Sequence, residues 1–128
     1  WEQGNETILV CEDEPSLRRL MSSLLSGCGY RVIEAENGEQ AVRLAAEHTG
    51  QFRLLITDVV MPGMKGDTVA ETILKDQPTV PVLFMSGYTS DVVSFESLTQ
   101  KGMGFLQKPF KPDTLLQRVR EMLDNIEK

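Results

Sequence analysis

The stretch "LLITDVVMPGMKG", residues 54–66, runs an apolar segment straight into a carboxylate, Asp58, and then into a loop of Met, Pro and Gly. Asp is common where strands stop, so a surface aspartate opening a turn is the simplest reading of this stretch alone. Three other places point elsewhere. "VCEDEP" sets Glu12 and Asp13 just past a second apolar run, "VPVLFMS" ends a third on Ser86, and "GFLQK" ends a fourth on Lys108. Carboxylates brought close together repel, and one stays protonated unless a cation lies among them. Mg2+ is the natural candidate, being hard, oxygen-seeking and satisfied by one or two carboxylates plus water and phosphate oxygens. A lysine and a hydroxyl beside such acids could hold an oxyanion built on Asp58, which is equipment for a phosphoryl group on a carboxylate. Each residue also has a plainer reading. Glu12 to Glu14 could be a solvated acidic loop, and Lys108 a snorkelling surface cation.

What decides between these readings is the set of elements that must position the residues. "TILVC" (7–11), "YRVIEA" (30–35), "LLIT" (54–57), "VPVLFMS" (80–86) and "GFLQK" (104–108) read as strands. Between them, Leu17, Leu20, Met21, Leu24, Leu25 and Cys28 recur at helical spacing behind Pro15, which suits a first helical turn. Gly38 to His48 reads as a second helix and Asp67 to Lys75 as a third, with Val69, Ala70, Ile73 and Leu74 inward. A last helix opens at Pro112, with Leu115, Val119, Met122, Leu123 and Ile126 on one face. Residues 91–99 are middling helix formers, and a helix is expected there because the alternation needs a crossover. Repeated βα units imply a doubly wound parallel sheet covered on both faces, a flavodoxin-like (βα)5 fold. Strands one, three and four are almost wholly apolar, as interior strands should be, whereas Arg31, Glu34 and Gln107 mark strands two and five as edges. That gives the order 2-1-3-4-5, whose ligand crevice lies at the carboxyl ends of strands one and three. The acids are there.

Composition narrows the function classes. The chain has 128 residues, 41% hydrophobic and 25% charged, as expected of one globular domain. Its formal net charge of −6 argues against direct nucleic-acid binding, which needs clustered Lys and Arg. No apolar stretch approaches a membrane span and none resembles a signal peptide, so no membrane contact and a cytoplasmic location are expected. Cys11 and Cys28 lack metal or redox spacing and read as reduced, packed thiols. His48, the single histidine, reads as a helix-end residue rather than a metal ligand. Residues 1–6, headed by Trp1, read as a linker remnant, and 7–127 as the domain.

In this order and spacing, Glu12-Asp13, "DVVMPGMKG", "MSGY" and "KPF" make the chain similar to the receiver domains of two-component response regulators, over about residues 6–126. The resemblance implies that Asp58 accepts a phosphoryl group from a phosphohistidine on a histidine kinase or a histidine phosphotransfer domain. It implies Mg2+ held by Asp13, Asp58 and the backbone carbonyl of Val60, with Glu12 acting through water. Ser86 would bind a phosphoryl oxygen, Lys108 would bridge it, and Phe105 would be the aromatic switch. Activation would alter the face made by residues 91–99, strand five and the last helix, a possible homodimer surface. Receivers often carry a cis Lys-Pro bond at the position of 108–109. Val60 and Tyr88 would flank the path of hydrolytic water and set the lifetime of the aspartyl phosphate. Phe105 departs from the tyrosine of many members, and Lys65 from a loop position that is often small or acidic. "LFMSGYTS" and "GFLQKPFKPDTLL" look most like receivers of hybrid sensor histidine kinases. The isolated domain would promote only its own phosphorylation and dephosphorylation, although a hybrid parent could be a kinase.

Other chemistries fit less well. Aspartyl phosphatases usually need a second Asp two residues on, where Val60 stands, and neither GxxxxGK[ST] nor GxGxxG is present. The serious alternative is a receiver-like interaction module that never takes phosphate, but such a module need not keep Glu12, Asp13, Asp58, Ser86 and Lys108 together.

Overall fold

The computed structural model describes residues 4–87 and 103–125. The expected helix at 91–99, Tyr88 and Ile126 lie outside them. The strands are β1 (Thr7–Cys11), β2 (Arg31–Ala35), β3 (Leu54–Asp58), β4 (Val82–Ser86) and β5 (Met103–Gln107). Among the described residues the helices are α1 (Pro15–Gly27), α2 (Gly38–Glu47), α3 (Gly66–Asp76) and α4 (Pro112–Asn125). Every strand pairing is parallel, in the order β2-β1-β3-β4-β5. This is the expected doubly wound, flavodoxin-like sheet.

Strand side chains alternate between faces, so each interior strand feeds two cores. Ile8, Val10, Ile56 and Leu83 pack with Met21 of α1 and Leu115 of α4. Leu9, Leu55 and Phe84 pack with Ala41 of α2 and Val69 of α3. All five residues of β3 and of β4 are buried, as the apolar runs require, while β2 and β5 keep exposed or half-buried positions at the edges.

Several expectations shift. Tyr30 precedes β2, β4 begins at Val82 rather than Val80, and β5 ends on Gln107, leaving Lys108 as the first residue beyond it. Leu20, expected inward, is 49% exposed. The stripe of α1 is centred on Met21 and Leu25, and Leu20 falls at its margin, on the rim of the cleft beside Phe110. His48 caps α2, its Nδ1 donating to the Leu44 carbonyl at 2.9 Å. Cys11 and Cys28 are free thiols, and burial pushes the Cys11 thiol up to about 11. Among the described residues no helix is long and apolar enough to cross a membrane.

Candidate functional site

Register brings the acids together. Cys11 pairs with Thr57, so Glu12 and Asp58 leave the sheet side by side. The Glu12 N–H donates to the Ala35 carbonyl at 3.0 Å, which carries the β1–β2 ladder one residue past the strand. Glu12 is only 1% exposed, so the solvated-loop reading fails for it, whereas Asp13 and Glu14 are exposed. Asp58 closes β3 and is 3% exposed.

The loop after Asp58 doubles back upon it. Pro62 followed by Gly63 at φ +81° suits a type II turn. The chain returns so closely that the Gly66 N–H donates to the Val59 carbonyl at 2.9 Å. A Cβ on Gly66 would strike the Asp58 carbonyl oxygen and lie 2.7 Å from the Asp58 carbonyl carbon, so the close approach needs glycine. The sequence signal was a glycine opening a helix rather than sitting in the turn.

Lys108 enters from the far side. Its N–H donates to the Ser86 carbonyl at 2.8 Å, locking the ends of β4 and β5 together, and the Lys108–Pro109 bond is cis, as expected from the sequence resemblance. Its Nζ pairs with Asp58 Oδ1 and, at 3.1 and 3.3 Å, with both oxygens of Glu12. One ammonium therefore serves two buried carboxylates. Burial pushes the Asp58 carboxyl above its ordinary range, and the hydrogen bond and charge of Lys108 oppose that shift without cancelling it. Asp58 Oδ2 is buried and has no hydrogen-bond partner among the described residues. One carboxylate oxygen each from Glu12, Asp13 and Asp58 can be chosen within 4.8 Å of one another. Three hard anionic donors, one orphaned oxygen and a single shared lysine fit a small divalent cation.

Asp13, Asp58, Val60, Ser86 and Lys108 line one cleft, with Val60 56% exposed at its mouth. Phe105 lies elsewhere, on β5 opposite Phe84, packed against the core on the α2 and α3 side. Tyr88 lies outside the described residues. Gly66 and Arg18, which holds the Glu12 carbonyl, are residues that sequence reasoning did not single out.

A doubly wound α/β domain with acids, a hydroxyl and a lysine gathered at the switch point of its sheet has the form of a receiver. The response regulator receiver domain family matches residues 8–120, and the chain belongs to that family. Sensor kinase CckA of Brucella abortus (strain 2308) is 36% identical over 121 residues, covering 94% of this chain and 13% of that protein. Response regulator receiver protein CpdR of the same organism is 31% identical over 116 residues, covering 91% of this chain and 95% of that protein. The solved receiver domain of hybrid histidine kinase CckA is 39% identical with a TM-score of 0.80, covering 91% of this chain and 98% of that one. The chain thus spans a small part of the CckA kinase and nearly all of CpdR.

Proposed function

We propose that this receiver takes a phosphoryl group from a phosphohistidine onto Asp58 in a Mg2+-dependent reaction, residues 7–127 forming the phosphoacceptor unit, with Gly4 and Glu6, read from the sequence as linker, bonded to it through Cys28, Arg31 and Arg120. The observation that carries this reading is the buried Asp58 carboxylate, with Oδ1 on Lys108 and Oδ2 unpartnered among the described residues, beside two further acids. Asp13, Asp58 and the Val60 carbonyl would hold Mg2+, with Glu12 acting through water. When bound, the ion offsets negative charge on the carboxylates and on the transferring group.

An Asp58 carboxylate oxygen attacks phosphorus in line, the new P–O bond forming as the P–N bond breaks and the imidazole leaves with its electron pair. Lys108 answers the added charge on Asp58, and the Ser86 hydroxyl donates to a phosphoryl oxygen. Val60 and Tyr88, neither an acid nor an amide, leave hydrolytic water poorly oriented and lengthen the lifetime of the product. As Ser86 is drawn inward, Phe105 turns, and the face that includes β5 and α4 becomes the output and dimer surface. The donor is a histidine kinase or a histidine phosphotransfer domain in the cytoplasm. Identities of 36% and 39% to CckA, against 31% to CpdR, favour a hybrid kinase as the parent.

Acetyl phosphate with Mg2+ should add one phosphoryl group, read by intact-protein mass. Asp58→Asn or EDTA should each remove that signal. Undiminished labelling of Asp58→Asn would overturn the assignment.

A further inference from the structure

Arg18 has no part in the chemistry described so far, yet it is tied to the acid pair by its strongest contact. It sits in the first turns of α1, with its side chain 14% exposed. One guanidinium nitrogen, Nη1, donates to the Glu12 backbone carbonyl at 2.8 Å, while Nε faces Glu34 Oε1 on β2 at 3.5 Å. The Glu12 N–H is already committed to the Ala35 carbonyl at 3.0 Å. Both polar groups of the Glu12 backbone are therefore held. The held carbonyl belongs to the peptide plane joining Glu12 to Asp13, and a planar peptide passes its orientation directly to the next Cα. Among the described residues the Glu14 side chain makes no capping bond at the start of α1, and Arg18 supplies a side-chain hold on this turn instead.

We propose that Arg18 is a positioning residue for the divalent cation: by gripping the Glu12 carbonyl it aims the exposed Asp13 carboxylate at the ion. The inference rests on the Mg2+ reading above. Mg2+ demands near-ideal octahedral geometry and tolerates misdirected ligands poorly, so a loosened Asp13 weakens binding even with every carboxylate in place. Outer partners that orient metal ligands commonly govern affinity in this way.

Charge supplies a discriminating sign. Removing a cation beside three carboxylates should, by electrostatics alone, tighten Mg2+ binding. Loss of positioning should weaken it. The experiment is calorimetric titration of Mg2+ into wild type, Arg18→Met, Arg18→Lys and Arg19→Met, with melting curves to establish folding. Arg19 is the exposed neighbour and its substitution changes net charge identically. Arg18→Met should bind Mg2+ about tenfold more weakly. Arg18→Lys, which can still donate to the Glu12 carbonyl, should recover part of the loss, and Arg19→Met should match wild type or bind slightly tighter. Unchanged or tighter binding by folded Arg18→Met overturns the positioning role while leaving the Mg2+ reading intact. Wild type that shows no saturable Mg2+ binding overturns both. If Arg18→Met does not fold, Arg18→Lys decides: binding clearly weaker than wild type supports the role, and wild-type affinity in a variant whose Asp13 amide signal is displaced, the sign that the Glu12 carbonyl is no longer held, overturns it.

Discussion

Strand β1 meets charge at both ends, and the two ends handle it in opposite ways. At its start, Glu6 receives Arg120 from α4 at 2.7 Å, and the same guanidinium reaches Asp124 at 2.9 Å and the Tyr30 hydroxyl at 3.2 Å. Its carbon lies 5.9 Å from the centre of the Tyr30 ring. Here a cation with several donors meets acids that it can satisfy, and the Arg120 hydrogen bond holds the Glu6 carboxyl below its ordinary range. At the other end, among the described residues, one lysine is divided between Glu12 and Asp58, an oxygen of Asp58 is left over, and burial shifts its carboxyl the other way. The satisfied cluster staples the fold. The unsatisfied one stores an unmet demand for positive charge, which is what a site for a cation and a transferable group requires.

The largest effect expected at the unsatisfied end comes from backbone rather than charge. Gly66→Ala should destabilise the domain by about 3 kcal/mol, because the clash is with the main chain of Asp58 and no flexible side chain can yield. Urea unfolding measures it. No loss, or the small gain usual for Gly→Ala at an unstrained position, would mean the loop does not rest on Asp58.

Next in size is Arg120→Met, which removes the staple and should cost about 2 kcal/mol. The pH dependence carries the sign. Glu6 has its carboxyl lowered in the folded state, so its contribution is present above the ordinary value of 4.5 and fades as pH falls through the folded value. Arg120→Met should therefore lose more relative to wild type at neutral pH than in acid. Melting at pH 7 and near pH 3 tests this, and an equal loss at both would remove the ion pair from the account.

The smallest change is a gain. Asp58 has its carboxyl raised in the folded state, so the native protein binds the extra proton and stability falls as pH rises above the ordinary 3.8. Asp58→Asn in EDTA should thus melt higher than wild type at pH 7, with the gap closing toward acid pH. If Asn melts lower at neutral pH, Lys108 compensates the buried anion more fully than described and the contrast between the two ends weakens.

Much of this was legible in the residues. Arg31, Glu34 and Gln107 marked the edge strands, apolar runs marked the interior, and the acids fell at the strand ends where the topology puts a crevice. Contacts between distant segments were not legible. Lys108 lies 96 residues from Glu12 and Arg120 lies 114 from Glu6, and no local spacing encodes either pair. Leu20 misled because helical periodicity marks a stripe without saying how much of it the neighbouring elements cover. Arg18 gave no signal because its acceptor is a backbone carbonyl, which every residue possesses.

Strand β3 distributes its aliphatic side chains over both layers, Leu54 and Ile56 to one and Leu55 to the other. A one-residue slip exchanges the faces of a strand, and this one would present each layer with side chains of the same kind. Grease alone cannot tell β3 where to stop. Asp58 can. Slid into the place of Thr57 it would stand between Cys11 and Phe84, an anion with a thiol and a phenyl ring for strand neighbours. The acid proposed to take the phosphoryl group is thus also the punctuation mark of its strand, and a sequence that lost it would lose part of the spelling of its own alignment.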